Sequence, residues 1–309
     1  MPVKIINKFP DINNPGFNFV TWNEQFRLEN VLINDTRKSA YFPLHWTTFS
    51  MKCAFGGTEQ YVMGNMKYSV GEGSYLLLNE DTMYESLIES ESSVESFTLN
   101  FTKEFLNEVF YSISNCDEHL LDNPGRFKNE SVNFYEKLYP LNRQMHCFIK
   151  GLRETVRLNL TDSHPFDEYF HFILEFLFSE HMNTVMQIKL LDEKKQSTKE
   201  EIFRRLNLAK DYMHSNYSEK IELNDLGKIS NLAPHYLLRK FKKHFGITPH
   251  RCLTLRRLEK SKDMLLNTNK SISEICIDVG FESLSSFIAL FKKHYSQPPE
   301  KYKFSALKS

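Results

Sequence analysis

Three things are missing from this 309-residue sequence, and each narrows what the chain can be. No stretch of about 18 apolar residues runs free of charge, which excludes a helical membrane span. The most apolar segment, FDEYFHFILEFLFSEHM, is broken by Asp167, Glu168, Glu175 and Glu180. The opening residues MPVKIINKFPDINNPG carry no apolar core of the kind a secretory signal needs, so a cytoplasmic location with no membrane partner is expected. Closely spaced cysteines are also missing. Cys53, Cys116, Cys147, Cys252 and Cys276 are odd in number and far apart, which excludes a metal knuckle or a redox pair and leaves free thiols in a reducing compartment. The third absence is net charge, since 39 basic residues balance 39 acidic ones, and an evenly charged chain of this kind has no reason to seek a polyanion.

The balance is uneven along the chain. From Glu201 onward there are 20 Lys and Arg against 11 Asp and Glu, an excess of nine that the earlier two thirds cancel. That basic third also repeats itself. FKKHFGITP begins at Phe241 and FKKHYSQPP at Phe291, fifty residues later, each with a proline eight positions after the Phe. Around the first copy, Asn224 can cap a helix whose apolar face is Leu226 and Ile229, and Asn231 can take a left-handed turn. A second helix then opens near Ala233-Pro234 and buries Leu237 and Phe241. Around the second copy, Ser271 or Ser273 can cap a helix carrying Ile275 and Val279, Gly280 makes the turn, and Ser283 starts a helix burying Phe287 and Phe291. The offset between copies is 49 before the turn and 50 after it, so the second turn is one residue longer. Each copy is therefore expected to be a helix-turn-helix, with Leu253, Arg257, Leu258 and Leu265 on a connecting helix.

Upstream, residues from about Phe19 to Phe101 alternate in short runs broken by Gly56-Gly57, Gly64-Asn65 and Gly71-Glu72-Gly73, spacings that suit hairpins. This predicts a small all-β barrel or sandwich. From about Leu141 the period lengthens, and Phe166, Tyr169, Phe170, Ile173, Phe176 and Leu177 form an apolar helical stripe with more surface than one face needs. The division expected is a β unit over residues 1–138, a helical and dimerising segment over 139–190, a polar linker over 191–200 and a helical domain over 201–309. The fold class is α+β.

In the C-terminal third, Leu-Arg-x-Phe-Lys-Lys is followed by Pro-x-x-x-Leu-x-x-x-Arg-Leu-x-x-Ser-Lys-x-x-Leu. Ser-Ile-x-Glu-Ile-x-x-x-Val-Gly-Phe-Glu-Ser and Phe-Lys-Lys-x-Tyr-x-x-x-Pro-x-x-Tyr come next, in that order. From about Phe203 to Tyr302 this resembles the C-terminal domain of the AraC family of transcription regulators. The resemblance implies two helix-turn-helix modules joined by a linking helix, each presenting its second helix to a major groove of double-stranded DNA. It also implies a β-rich N-terminal domain similar to a cupin barrel that senses a small molecule, adjoining helices that form a homodimer, and RNA polymerase as a further partner.

The start of a recognition helix enters the groove, so Pro234, His235, Leu238 and Arg239 are the base-reading candidates of the first module. Arg239 leads, because a guanidinium can bond O6 and N7 of guanine together. In the second module the candidates are Leu284, Ser285, Ser286 and Ile288, and Ala289 stands where Arg239 stands in the first. Module two should therefore read more weakly. Lys242, Lys243, Lys292 and Lys293 are placed to grip phosphates, and Thr268, Ser271 and Ser273 lie at a helix start where free N–H groups can do the same.

The N-terminal half carries no specific motif. A metal-binding cupin wants several His and a Glu converging on one site. His45 stands alone on the early strands, so no metal, cofactor or catalytic residue is assigned. His45, Trp46, Tyr61, Tyr75 and Tyr84 are the candidates to line a ligand pocket. The expected function is a sequence-specific DNA-binding regulator and not an enzyme. The alternatives are a ligand-independent DNA-binding protein whose first half only oligomerises, or a cupin-type metalloenzyme fused to a helical domain.

Overall fold

A computed structural model describes residues 3–10, 12, 14–114, 132–158 and 164–306, so Cys116 lies outside the described residues. The chain divides into two compact units, Met1–Asp192 and Glu193–Ser309.

The first unit is built on two long strands, β2 (Val31–Trp46) and β7 (Met83–Phe101), paired antiparallel along their length. Register shifts between Arg37 and Ser39 and between Phe42 and His45 bend the pair. β1 (Lys4–Ile6) joins β2 in parallel. The other edge of β7 is shared by β3 (Phe49–Phe55), which pairs its later half, and β4 (Thr58–Met63), which pairs its earlier half. β5 (Met66–Gly71) extends β4, while β6 (Ser74–Leu78) and β8 (Leu138–Pro140) extend β3.

Only one of the three expected hairpins forms. Gly64-Asn65 links β4 to β5 with Met63 opposite Met66, but β3 does not pair with β4, nor β5 with β6. Gly56 and Gly57 serve close approach instead. A Cβ on Gly56, whose φ is +73°, would sit 2.9 Å from the Ser93 carbonyl oxygen, and one on Gly57 would sit 2.6 Å from Val94 Cγ2. The start of the β region is also corrected, since Phe19–Glu24 forms α1, capped by the Asn18 side chain accepting the Thr21 N–H.

Alternation along β3 separates two cores. Phe49, Met51, Cys53 and Phe55 pack with α2 (Lys103–Ser114), α3 (Arg143–Arg157) and α4 (His164–Lys189), where Phe97, Phe101, Ile149, Leu152, Phe170 and Phe178 are buried. The helical segment thus shares one core with the sheet rather than standing apart. Arg153 of α3 fastens it with a two-pronged bond to Glu95, its guanidinium lying 3.8 Å from the centre of the Phe55 ring. On the opposite face Ala54, Tyr61, Tyr68, Val70, Leu76, Leu78, Tyr84, Ile88, Val94 and Leu138 make an inner core that the sheet curls around.

The second unit is all helix among its described residues. It comprises α5 (Gln196–Ser215), α6 (Leu223–Ser230), α7 (Pro234–Phe245), α8 (Pro249–Asn267), α9 (Ile272–Asp278), α10 (Leu284–Tyr295) and α11 (Pro299–Ala306). α5 begins at Gln196, inside the stretch expected to be linker. No helix among the described residues is long and apolar enough to cross a membrane.

Candidate nucleic-acid interface and inner pocket

Two helix pairs with tight turns stand in the second unit, α6 with α7 and α9 with α10. The first turn is made by Asn231, left-handed at φ 51° and ψ 44°, and the second by Gly280 at φ +86°. From the left-handed residue to the N-cap of the next helix is two positions in the first module, Asn231 to Ala233, and three in the second, Gly280 to Ser283. This is the extra residue read from the offset. Gly280 is required twice over, because a Cβ there would also meet the Ser218 carbonyl oxygen at 2.5 Å. Arg257 of the linking helix α8 ties this region down, donating to the carbonyls of Tyr217 at 2.7 Å and Glu219 at 2.8 Å.

Caps fix where the helices start. α6 is capped by Glu222 in a capping box with Asp225, not by Asn224, since the carboxylate two residues earlier takes the N–H. Ser271 and Glu274 box the start of α9, and Ser283 caps α10 by accepting the Ser286 N–H.

On α7, Leu237 and Phe241 are buried, and His235, Arg239 and Lys242 project from the opposite side at i, i+4 and i+7. α10 repeats this with Phe287 and Phe291 buried and Ser285, Ala289 and Lys292 exposed. Lys243 and Lys293 are exposed beside them, and Leu284 and Ser286 are exposed in the first turn of α10. Lys242, Lys243 and His244, like Lys292, Lys293 and His294, fall in the last turn, where cations complement the helix dipole. The Arg239 guanidinium stands 5.5 Å from the centre of the Tyr236 ring.

Four expected contacts are placed differently. Pro234 is half-buried against α6, near where a Gly227 Cβ would sit. Leu238 is half-buried and turns toward a surface groove that Met213, Leu226 and Leu253 also line. Ile288 is half-buried and packs on the core of module two. Thr268 donates its hydroxyl to the Met264 carbonyl and accepts the Lys270 N–H, so its side chain closes α8. The free N–H groups expected at the start of α9 are partly used as well. The Ser271 N–H bonds the Glu274 carboxylate, which that bond holds below the usual carboxylate range, and the negative charge stands where a phosphate would sit. Ser273 is exposed in the same turn.

In the first unit, the inner face of the sheet frames a small pocket of about 20 Å³, room for little more than a water molecule. His45, Trp46, Tyr61 and Tyr84 line it as expected. Tyr75 does not. It lies on the helix side of β6, stacked 5.3 Å from Tyr139, because alternation turns Leu76 and Leu78 inward instead. The sequence reading missed Lys52 and Glu59, each only 3% exposed, and Ser86, Ser96 and Asn100. The signal was a lysine at an inward position of FSMKCAF, a strand otherwise almost without charge. Aromatic rings of Phe9, Trp22, Phe26 and Phe42 close one side, with centroids 4.3 to 4.7 Å apart.

Two ionisable side chains, Lys52 and Glu59, are buried together beside this pocket. Lys52 Nζ donates to the Tyr84 hydroxyl at 3.0 Å, and burial pulls its pKa down to about 7. Burial raises the Glu59 pKa, against the pull of the Ser96, Tyr61 and Ser86 hydroxyls and of Lys52. His45 is lowered to about 4, chiefly by burial, so its neutral ring donates from Nδ1 to the Pro43 carbonyl at 2.6 Å. Glu59 Oε2 and Asn100 Nδ2 have no hydrogen-bond partner. Among the described residues no cluster of three or more His, Cys, Asp and Glu side chains is placed to hold a metal.

Two short helices, a tight turn, an exposed second helix, and the whole unit repeated about a rigid connector define a double helix-turn-helix domain. A family model described as "Helix-turn-helix domain" matches residues 226–304. The matched stretch lies within the second unit, and the family model is of the AraC type. The chain is 36% identical over 98 residues to the "Bifunctional transcriptional activator/DNA repair enzyme AdaA" of Bacillus subtilis, covering 32% of this chain and 46% of that protein. It is 32% identical over 119 residues to the "Probable transcriptional regulator LumQ" of Photobacterium leiognathi, covering 38% and 45%. Among solved structures, the C-terminal domain of the two-component response regulator yesN from Fusobacterium nucleatum is 36% identical, covers 31% of this chain and 94% of that one, and has a TM-score of 0.30. The chain spans less than half the length of the two curated relatives.

Proposed function

We propose that this protein is a sequence-specific DNA-binding transcription regulator whose second unit reads two successive major grooves of double-stranded DNA. The observation that carries the reading is the repeated exposed face, His235, Arg239 and Lys242 on α7 and Ser285, Ala289 and Lys292 on α10. Each is held opposite a buried Phe, on helices whose turns are fixed by Asn231 and Gly280. The basic excess of this third supplies the salt-dependent attraction to phosphate that any such reader needs. Within that face Arg239 reads a base, while Lys242, Lys243, Lys292 and Lys293 hold the backbone, and Ser273 remains beside it as a weaker backbone contact.

The first unit receives a small-molecule effector, a role supported by its curled β sheet, the architecture that the AraC resemblance implies for a sensing domain. It also carries the homodimer contact. Met182 and Met186 on the exposed side of α4, and Leu190 just past its end, recur every four residues and are 51%, 58% and 82% exposed, a stripe a second copy can cover. RNA polymerase is a further partner, and the protein works in the cytoplasm without catalysing a reaction. Binding to a selected operator and to random DNA tests the core of this reading. Arg239→Ala should cost about 1–3 kcal/mol on the operator and almost nothing on random DNA. Equal loss on both would make Arg239 a phosphate contact.

A further inference from the structure

Glu193 lies between α4 and α5, in the stretch expected to be polar linker, yet its side chain is only 10% exposed. It is pinned to the reading helix of the first module. Its Oε1 sits 2.5 Å from the Lys240 ammonium, itself 11% exposed, and accepts the Tyr236 hydroxyl at 3.2 Å. Burial alone would raise the Glu193 pKa, but the hydrogen bond and charge of Lys240 outweigh it and hold the carboxyl below its usual range, so the pair is ionised. The clamp has a cost. Glu193 Oε2 is buried with no hydrogen-bond partner among the described residues, so the segment is fastened here by an arrangement that leaves one acceptor unserved.

A helical step of about 100° per residue puts Tyr236 and Lys240 one step round α7 from His235 and Arg239, on the flank between the exposed side and the buried Leu237 and Phe241. The carboxylate therefore acts on reading in two ways. Lys240 would otherwise be a further free cation beside Lys243, and Glu193 cancels it. A cation at this place strengthens binding to DNA of any sequence, because phosphates carry no sequence information. The same carboxylate holds the Tyr236 ring, and the Arg239 guanidinium lies over that ring, 5.5 Å from its centre. We infer that Glu193 is a positioning residue for base reading. It withholds Lys240 from the DNA backbone and fixes the ring on which Arg239 rests, so discrimination between sequences rises while general affinity for DNA falls.

This inference rests on the reading of α7 as a DNA-reading helix, and the test separates the two. Full-length protein and its variants are titrated with a selected operator and with random duplex at several salt concentrations. Glu193→Gln keeps the shape of the side chain and removes its charge. It should tighten binding to random DNA roughly threefold and steepen the salt dependence by one phosphate contact, about 0.9 in slope, while the ratio of operator to random affinity falls. Adding Lys240→Met should return the random-DNA affinity and the salt slope to those of the unaltered protein. In an Arg239→Ala background Glu193→Gln should leave the ratio where it stands, because the residue it positions is already gone. Tyr236→Phe deletes only the bond to Glu193 and no charge, so it should lower the ratio without moving the salt slope, and this arm stands even if Glu193→Gln does not fold. An unchanged salt slope in Glu193→Gln, an unchanged ratio in Tyr236→Phe, or an equal loss on both DNAs overturns the inference and reduces the clamp to a fastening of the fold. Unaltered protein that selects no operator overturns the reading of α7 itself, and the inference with it.

Discussion

Ser296 and Gly246 occupy the same position in the two modules, each ending its reading helix in the left-handed region, at φ 64° and 73°. Glycine takes that conformation without strain, whereas a residue with a Cβ pays for the approach of its side chain to the following carbonyl. Ser296→Gly should therefore stabilise the protein by about 1 kcal/mol in denaturant melts, since the Cβ penalty in this region is roughly 1–2 kcal/mol. A neutral or negative change would mean that the serine side chain makes a compensating bond. At this scale the sequence was most legible where backbone geometry demands one residue type. Asn231, Gly280 and Ser283 do what their positions in the repeat imply. It was least legible where choice depends on neighbours far along the chain. Nothing local says that Glu222 rather than Asn224 caps α6, or that Lys52 and Glu59 face each other's strands across one pocket.

The two reading helices share a frame and differ in what they expose. Both bury an apolar pair four residues apart, Leu237 with Phe241 in the first module and Phe287 with Phe291 in the second, and both end in two lysines and a histidine. On the outer face, however, His235 and Arg239 are answered by Ser285 and Ala289. A guanidinium can bond two acceptors of one guanine, and a methyl group cannot, so α10 lacks the strongest single readout available to α7. Selection from randomised DNA should return a sharper base preference in the half-site under α7 than in the half under α10. Equally sharp halves would show that α10 reads through Ser285, Ser286 or Leu284 more fully than its chemistry suggests. Helices were well predicted by the 3.6-residue period and their caps. Hairpins were not, because a glycine turn looks the same whether it joins partner strands or lets a loop pass close to a third strand, as Gly56 and Gly57 do beside Ser93 and Val94.

At the scale of the molecule, a chain with no net charge places its positive excess in one compact unit, Glu193–Ser309, and its negative excess in the other. The α+β division was legible from the change of period, but what the helices after the sheet pack against was not. Helices α3 and α4 complete the core of the sheet, a long-range packing choice that periodicity does not encode. The linker was likewise placed a few residues late, because the charged run at its end is the solvated first turn of α5. The central claim is that both modules sit on one body and occupy successive grooves together. Two grooves on one face of DNA lie about 34 Å apart, one turn, and the body cannot stretch to follow if that spacing changes. The direct measurement is binding to a selected operator and to the same operator with about 5 base pairs, half a turn, inserted between its halves. The insertion should reduce affinity to that of either half-site alone, whereas unchanged affinity would contradict simultaneous reading by two modules on one body.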